Sequence, residues 1–315
     1  MSVSRGALPL VSFGSEFRNG SPQLTICFSA FGISVGIRTN APETVPFLIE
    51  QLPPGSKPTS AAPGRVYTLR VDDGGSCPPR KRSTFRGVVL PSHLLLFENP
   101  PERCFELCVE GVTLARTRSL AEILEIFESD VQAHVAEMCD ERLFVHAGVV
   151  GWKGRAILIP GLSGSGKTTL VASLLRAGAT YYSDEYAVLD YQGRVHPYAR
   201  ALSLRAGQES IRMNAWPEAF GAVPGAEPLP LGLIIVTRYR TGAHWNPRVL
   251  SPGGAVLALI ANTVGIRRQP AFALATLQRA VSSVLTLESD RSEADRMPPL
   301  VFSQLEAHIA SSVGG

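Results

Sequence analysis

Eight consecutive residues near the middle of the chain, Gly161-Leu162-Ser163-Gly164-Ser165-Gly166-Lys167-Thr168, fit the pattern G-x-x-x-x-G-K-[ST] in full. Each residue type answers a demand of polyphosphate binding. Glycines at 161, 164 and 166 let successive backbone N–H groups and a helix N-terminus converge on one anion, where a Cβ would obstruct. Lys167 brings a point charge to the β- and γ-phosphates, and the Thr168 hydroxyl is a hard oxygen ligand for Mg²⁺. Thr169 is the next residue of the same cradle. The plain alternative is a glycine turn between a strand and a helix. Against it stands the setting: Ala156 to Ile159 is an aliphatic run of buried-strand type, and Leu170, Val171, Leu174 and Leu175 follow at helical spacing. The expected ligand is a nucleoside triphosphate with Mg²⁺.

Carboxylates come next. Asp184 follows Thr168 by sixteen residues, with Glu185 beside it. Gly178 stops the loop helix, and Ala179 to Ser183 reads as a strand whose carboxyl end carries the acidic pair. A short right-handed crossover predicts that this strand lies next to the loop strand, with both carboxylates beside the phosphates. Phosphoryl transfer needs such a set, because the phosphates must be neutralised and one group must accept a proton.

The joint spacing of these features resembles the catalytic domain of the bacterial HPr kinase/phosphorylase family over roughly residues 143 to 205. The residues that carry the resemblance are Val145-His146-Ala147-Gly148, with His146 fifteen residues before Gly161, the loop with Ser163, the helix ending Arg176-Ala177-Gly178, and Ser183-Asp184-Glu185. The resemblance implies an ATP-dependent P-loop serine kinase whose catalytic fold is related to phosphoenolpyruvate carboxykinase. It implies that Lys167 holds phosphate, Thr168 and Asp184 hold Mg²⁺, Glu185 takes the hydroxyl proton, and His146 lies close to the reacting phosphate. Thr169 stands where that family usually has Glu, and Glu185 where it has a second Asp, so the acceptor stays open: a protein, a peptide or a small molecule. Without a matched spacing, His146 on an apolar strand would read as a satisfied core group. Arg267 and Arg268, between two helices, are candidates for phosphate or substrate, against a helix-capping loop as the alternative. His196 and Arg205 stand likewise between lining the site and serving as hairpin polar residues.

The elements that must position these groups are read from periodicity. Residues 1 to 22 form an arm without pattern, and 23 to 140 a strand-rich N-terminal region that either selects substrate or completes a core. Its strands are expected at Leu24 to Phe28 and Phe31 to Ile37, with the turn at Ser29-Ala30, and then at Val66 to Val71, His93 to Phe97 and Cys104 to Val109. A helix opens at Ser119 with a Ser119/Glu122 capping box and runs to about Met138. Residues 141 to 315 form the catalytic domain. A hairpin there delivers Gly161, Gly207 to Pro230 is irregular, Leu231 to Thr237 is a strand, and helices start near Ala255, at Pro270 and before Leu300. The fold class is α/β, an α+β mixed sheet around a P-loop kinase core.

Composition narrows the class. The net charge of +3 over 315 residues calls for neither nucleic acid nor an anionic membrane as partner. The basic group Arg80, Lys81, Arg82 and Arg86 reads as a solvated loop or an electropositive lip. Five scattered cysteines, the absence of a secretory h-region and the absence of an apolar run near 18 residues point to a cytoplasmic protein. A homo-oligomer is compatible with all of this. The rivals to a kinase are a P-loop ATPase or nucleotide-dependent switch, and a binding module in which the nucleotide is structural.

Overall fold

Two-residue turns set three hairpins of this chain. At Glu110-Gly111 (φ 49° and 84°) and Lys153-Gly154 (φ 46° and 73°) both central residues have positive φ, the turn sense that matches the twist of paired strands. Phe31-Gly32 makes a third such turn, two residues later than the Ser29-Ala30 expected. The computed structural model describes residues 24–74, 77, 103–161, 164–206 and 211–313, without the side chains of 205–206, 211–213 and 312–313. The expected arm (1–22), the basic group from Arg80 to Arg86, the strand at His93 to Phe97, Leu162, Ser163 and the side chain of Arg205 lie outside these. The chain divides into two compact units, Met1–Cys139 and Asp140–Gly315.

In the first unit, strands β1 (Leu24–Ala30), β2 (Ile33–Thr39), β3 (Lys57–Pro58), β4 (Arg65–Asp73), β5 (Arg103–Val109) and β6 (Val112–Thr117) form one sheet in the order β3-β1-β2-β4-β5-β6. Only β2 and β4 run parallel, and the short helix α1 (Val45–Glu50) lies in their crossover. Helix α2 (Leu120–Met138) buries Leu120, Ile123, Leu124, Phe127, Val131 and Val135, and the sheet supplies Ile37, Tyr67, Leu69, Phe105 and Leu107 to the same core. Its N-cap follows from sequence: Ser119 Oγ accepts the Glu122 N–H at 3.3 Å, while the Glu122 carboxylate takes the Thr117 hydroxyl at 2.8 Å. Strand β6 was not expected. It is an edge strand that exposes Val112 and Leu114, so its side chains lack the alternation a half-buried strand writes into sequence.

The second unit holds β7 (Leu143–Trp152), β8 (Arg155–Pro160), α3 (Lys167–Arg176), β9 (Thr180–Ser183), β10 (Tyr186–Leu189), β11 (Arg194–His196), β12 (Leu202–Ala206), β13 (Ile211–Ala215), β14 (Leu229–Tyr239), β15 (Arg248–Val249), α4 (Pro252–Ile260), α5 (Pro270–Val281), β16 (Leu285–Arg291) and α6 (Met297–Val313). The main sheet runs β11-β10-β7-β8-β14-β16-β15, with β9 also paired to β7 and β11 also to β14. It is mixed: β8, β14 and β16 are parallel neighbours, and β7 is antiparallel to β8. Both faces are covered. Helices α3 and α6 pack with Val150, Ile157, Ile159, Leu233 and Ile235 on one face; α4 and α5 pack with Val145, Ala147, Val149, Leu158 and Ile234 on the other. That is why β8 and β14 read as continuous aliphatic runs. The stretch expected to be irregular carries β13, which pairs antiparallel with β12, and a 3-10 turn at Pro217–Phe220.

One expectation about connectivity is corrected. Strand β9 does not lie next to the loop strand; it pairs antiparallel with β7, so β7 stands between β9 and β8. Strands β9 and β10 both line the same edge of β7, at Gly151 to Val149 and at His146 to Leu143. The loop strand enters from a hairpin, so its inner edge is already taken by its own partner.

Candidate functional site

The phosphate loop is held from behind. Gly166 is the N-cap of α3 in the left-handed conformation (φ 86°), and a Cβ there would stand 2.6 Å from Arg291 Nη2. The guanidinium of Arg291, 2% exposed at the end of β16, donates to the Gly166 carbonyl at 2.9 Å and to the Ser292 carbonyl at 3.0 Å. The Gly166 carbonyl also accepts the Leu170 N–H, the first bond of the helix. Carbonyl and amide of a trans peptide point opposite ways, so fixing this carbonyl toward Arg291 and the helix turns the Lys167 N–H toward the mouth of the loop. Burial lowers the pKa of Arg291, and its Nε has no hydrogen-bond partner. At the loop's start, the Gly161 N–H donates to the His146 carbonyl at 3.2 Å, tying strand and loop together.

Lys167 projects from the first turn of α3 over β7, whose Gly148 leaves space: a Cβ there would lie 2.5 Å from Val171 Cγ2 and 3.9 Å from Lys167 Cβ. His146, two residues before Gly148, shares that face of the strand. Burial lowers the Lys167 pKa, and the carboxylates of Asp184 and Glu185 raise it.

The acidic pair sits where one strand edge is interrupted. Ser183, buried between β9 and β10, accepts the Glu185 N–H at 3.2 Å and the Tyr186 N–H at 3.0 Å on its hydroxyl. This local turn interrupts the strand at Asp184 and Glu185, while the Glu185 carbonyl still accepts the Ala147 N–H of β7 at 3.2 Å. Burial pushes the Asp184 carboxyl up to about 7; the hydrogen bond from Thr168, the charge of Lys167 and the Ser203 backbone amide act against that shift, and the Glu185 charge adds to it. Asp184 Oδ1 is buried with no hydrogen-bond partner, and so are Ser165 Oγ and Tyr181 Oη. Thr237, Thr276 and Thr286 have buried hydroxyls without partners as well, and the orphaned atom that stands beside Lys167 is Asp184 Oδ1.

Glu185 stands outside the pair, its side chain 58% exposed, with Oε1 3.7 Å from His146 Nδ1. His146 rests on the Tyr186 ring at 4.6 Å between centroids, and Tyr186 is its partner across the strand pair. Burial lowers the His146 pKa, Lys167 lowers it further and Glu185 opposes both, so the ring is neutral at pH 7.

Lys167, Thr168, Asp184, Glu185 and His146 are therefore brought together, with Gly161 and Gly164 to Gly166 in the loop beside them. The other candidates have partners of their own or are exposed. Arg268 is paired with Asp140, upstream of β7, and Gln269 bonds the same carboxylate. Arg267 is exposed, as is Thr169 on α3. His196 closes a hairpin cluster, its Nε2 2.9 Å from Asp190 Oδ2, which Arg194 also engages at 3.0 Å. Sequence reasoning missed Arg291 and Ser203, and named Ser183 only as part of the acidic motif, without its role in the turn. A strand-terminal position beside a phosphate loop was the available signal for Arg291, but nothing local separates it from the charged run Glu288 to Arg291.

The residues fit a magnesium ion. Among the described residues no group of three or more His, Cys, Asp or Glu gathers to hold a metal. Mg²⁺ needs none, because it keeps several waters and takes one or two protein oxygens plus substrate phosphates. The Thr168 hydroxyl and the unpartnered Asp184 Oδ1 supply such oxygens.

No protein-family model matches the chain, and no curated protein matches it. Among the described residues no helix is long and apolar enough to cross a membrane. All five cysteines are buried, and among the described residues none forms a disulfide.

Proposed function

We propose that the chain is an ATP- and Mg²⁺-dependent kinase that transfers the γ-phosphoryl group to a hydroxyl, serine being the first candidate, on a protein, peptide or small molecule. The observation that carries this reading is the buried Asp184 carboxylate, held near Thr168 and Lys167 with its Oδ1 left unpartnered. A strand interrupted at Ser183 has brought a carboxylate to the one hydroxyl that a phosphate loop offers to magnesium. The resemblance to HPr kinase/phosphorylase, with its P-loop core, supports it from sequence.

Bound magnesium would neutralise charge on the phosphates and orient them. Lys167, with the two carboxylates near it, holds the β- and γ-phosphates. Backbone N–H groups of the loop, aligned by the Arg291 contact at Gly166, take the remaining phosphate oxygens. Glu185 is exposed, so an acceptor can approach it, and its carboxylate takes the proton of the acceptor hydroxyl. That oxygen forms the new bond to phosphorus as the bond between the γ-phosphorus and its bridging oxygen breaks, leaving ADP. His146, with Nδ1 3.7 Å from Glu185 Oε1, stands close to the reacting phosphate.

Incubation of the full chain with γ-labelled ATP and a cell extract, beside Lys167→Ala and Asp184→Asn, tests the reading. Label on an acceptor, lost in both variants, is expected. Label in free phosphate alone, whatever extract is added, makes the chain an ATPase or switch. No turnover at all leaves only a nucleotide-binding module.

A further inference from the structure

The acidic flank of the phosphate loop has an aromatic counterpart on the other side. Across the sheet the order is β9 and β10, then β7, β8, β14 and β16, with the loop leaving the end of β8. Because β14 and β16 run parallel to β8, their last residues, Tyr239 and Arg291, emerge at the same edge as the loop. Tyr239 Cβ lies 3.8 Å from where a Cβ on Gly166 would be.

Tyr239 is large, aromatic and 46% exposed, and both its ring and its hydroxyl have partners. The Arg291 guanidinium covers one face of the ring at 5.8 Å from its centroid. The hydroxyl donates to Glu293 Oε1 at 2.9 Å and accepts from Thr241 Oγ1 at 3.5 Å. With one face on a buried cation and the polar end tied down, the open surface is the opposite face. A ring with one free face beside a phosphate cradle is a stacking platform, since every nucleobase offers a π-face to it.

We infer that the free face of Tyr239 is the seat of the nucleobase. The inference rests on the triphosphate reading above and extends it. Asp184, Glu185 and His146 occupy one flank, so the terminal phosphate faces that way. The nucleoside leaves by the opposite flank, where Tyr239 stands. Stacking without hydrogen bonds to the base edge also gives a seat for purines as a class, with little discrimination between adenine and guanine.

Calorimetric titration of the full chain with ATP, GTP and inorganic tripolyphosphate, each with Mg²⁺, separates the base from the phosphates. Tyr239→Ala is expected to weaken ATP and GTP by about ten- to a hundred-fold, the loss of one stacked base. It leaves tripolyphosphate affinity unchanged, which also shows that the variant is folded. Tyr239→Phe, which keeps the ring, retains ATP binding. An unchanged ATP affinity in Tyr239→Ala overturns the inference, and so does an equal loss for ATP and tripolyphosphate, which would make Tyr239 a prop of the loop. A wild-type chain that binds none of the three fails one step earlier, at the triphosphate reading itself.

Discussion

At Asp184, loss of water around the carboxyl outweighs the Thr168 hydrogen bond and the Lys167 charge, and its pKa rises to about 7. The folded value lies above the unfolded one of about 4, so the folded chain binds this proton more tightly. The stability that Asp184 contributes is therefore full below about pH 4 and is lost as pH rises toward about 7. The ligand-free protein is predicted to lose melting temperature over that window, and Asp184→Asn to lose less of it. Thermal melts followed by circular dichroism check this, and superimposable pH profiles would rule it out. A divalent cation bound beside Oδ1 would favour the carboxylate and release the proton. Asp184 and Glu185 were legible as a pair from their distance to the loop. The part Ser183 plays in their turn was not, because a serine before two acids has no periodic signature.

Among the elements, α3 and β16 carry the next prediction. Arg291 is a buried cation with an unsatisfied Nε, so its removal relieves a desolvation cost as well as breaking the bond to Gly166. Arg291→Met is therefore expected to leave the melting temperature nearly unchanged while weakening triphosphate binding about tenfold, close to the 1.4 kcal/mol at the low end for a charged hydrogen bond. A mant-ATP titration measures it; intact affinity would reduce Arg291 to core filling. The strand–loop–helix order and the capped helix α2 were readable from sequence because both faces of β8 are covered and the apolar stripe of α2 is unbroken. The place of β9 was not. The crossover rule assumes that a helix returns its strand beside the strand it left, and the hairpin partner β7 had already taken that edge.

For the whole molecule, the change from a strand-rich first half to a loop-centred second half is visible in sequence, and the division between Cys139 and Asp140 falls where helix α2 ends. Chemistry was legible only in the second unit. The first unit packs α1 and α2 on a six-stranded sheet around a mainly apolar core, and neither motif nor spacing there names a ligand. What the second unit adds to its sequence is convergence: residues from β7, α3 and the β9–β10 turn meet at one carboxylate. The most direct test is calorimetric titration of ATP into the full chain with Mg²⁺ and with excess chelator, at about pH 8 where Asp184 is ionised, for wild type and Asp184→Asn. A shared magnesium–triphosphate site predicts that Mg²⁺ tightens ATP binding in wild type and that Asp184→Asn abolishes this gain while keeping the chelator-condition affinity. An equal gain from Mg²⁺ in both proteins, or no ATP binding in wild type, would contradict it.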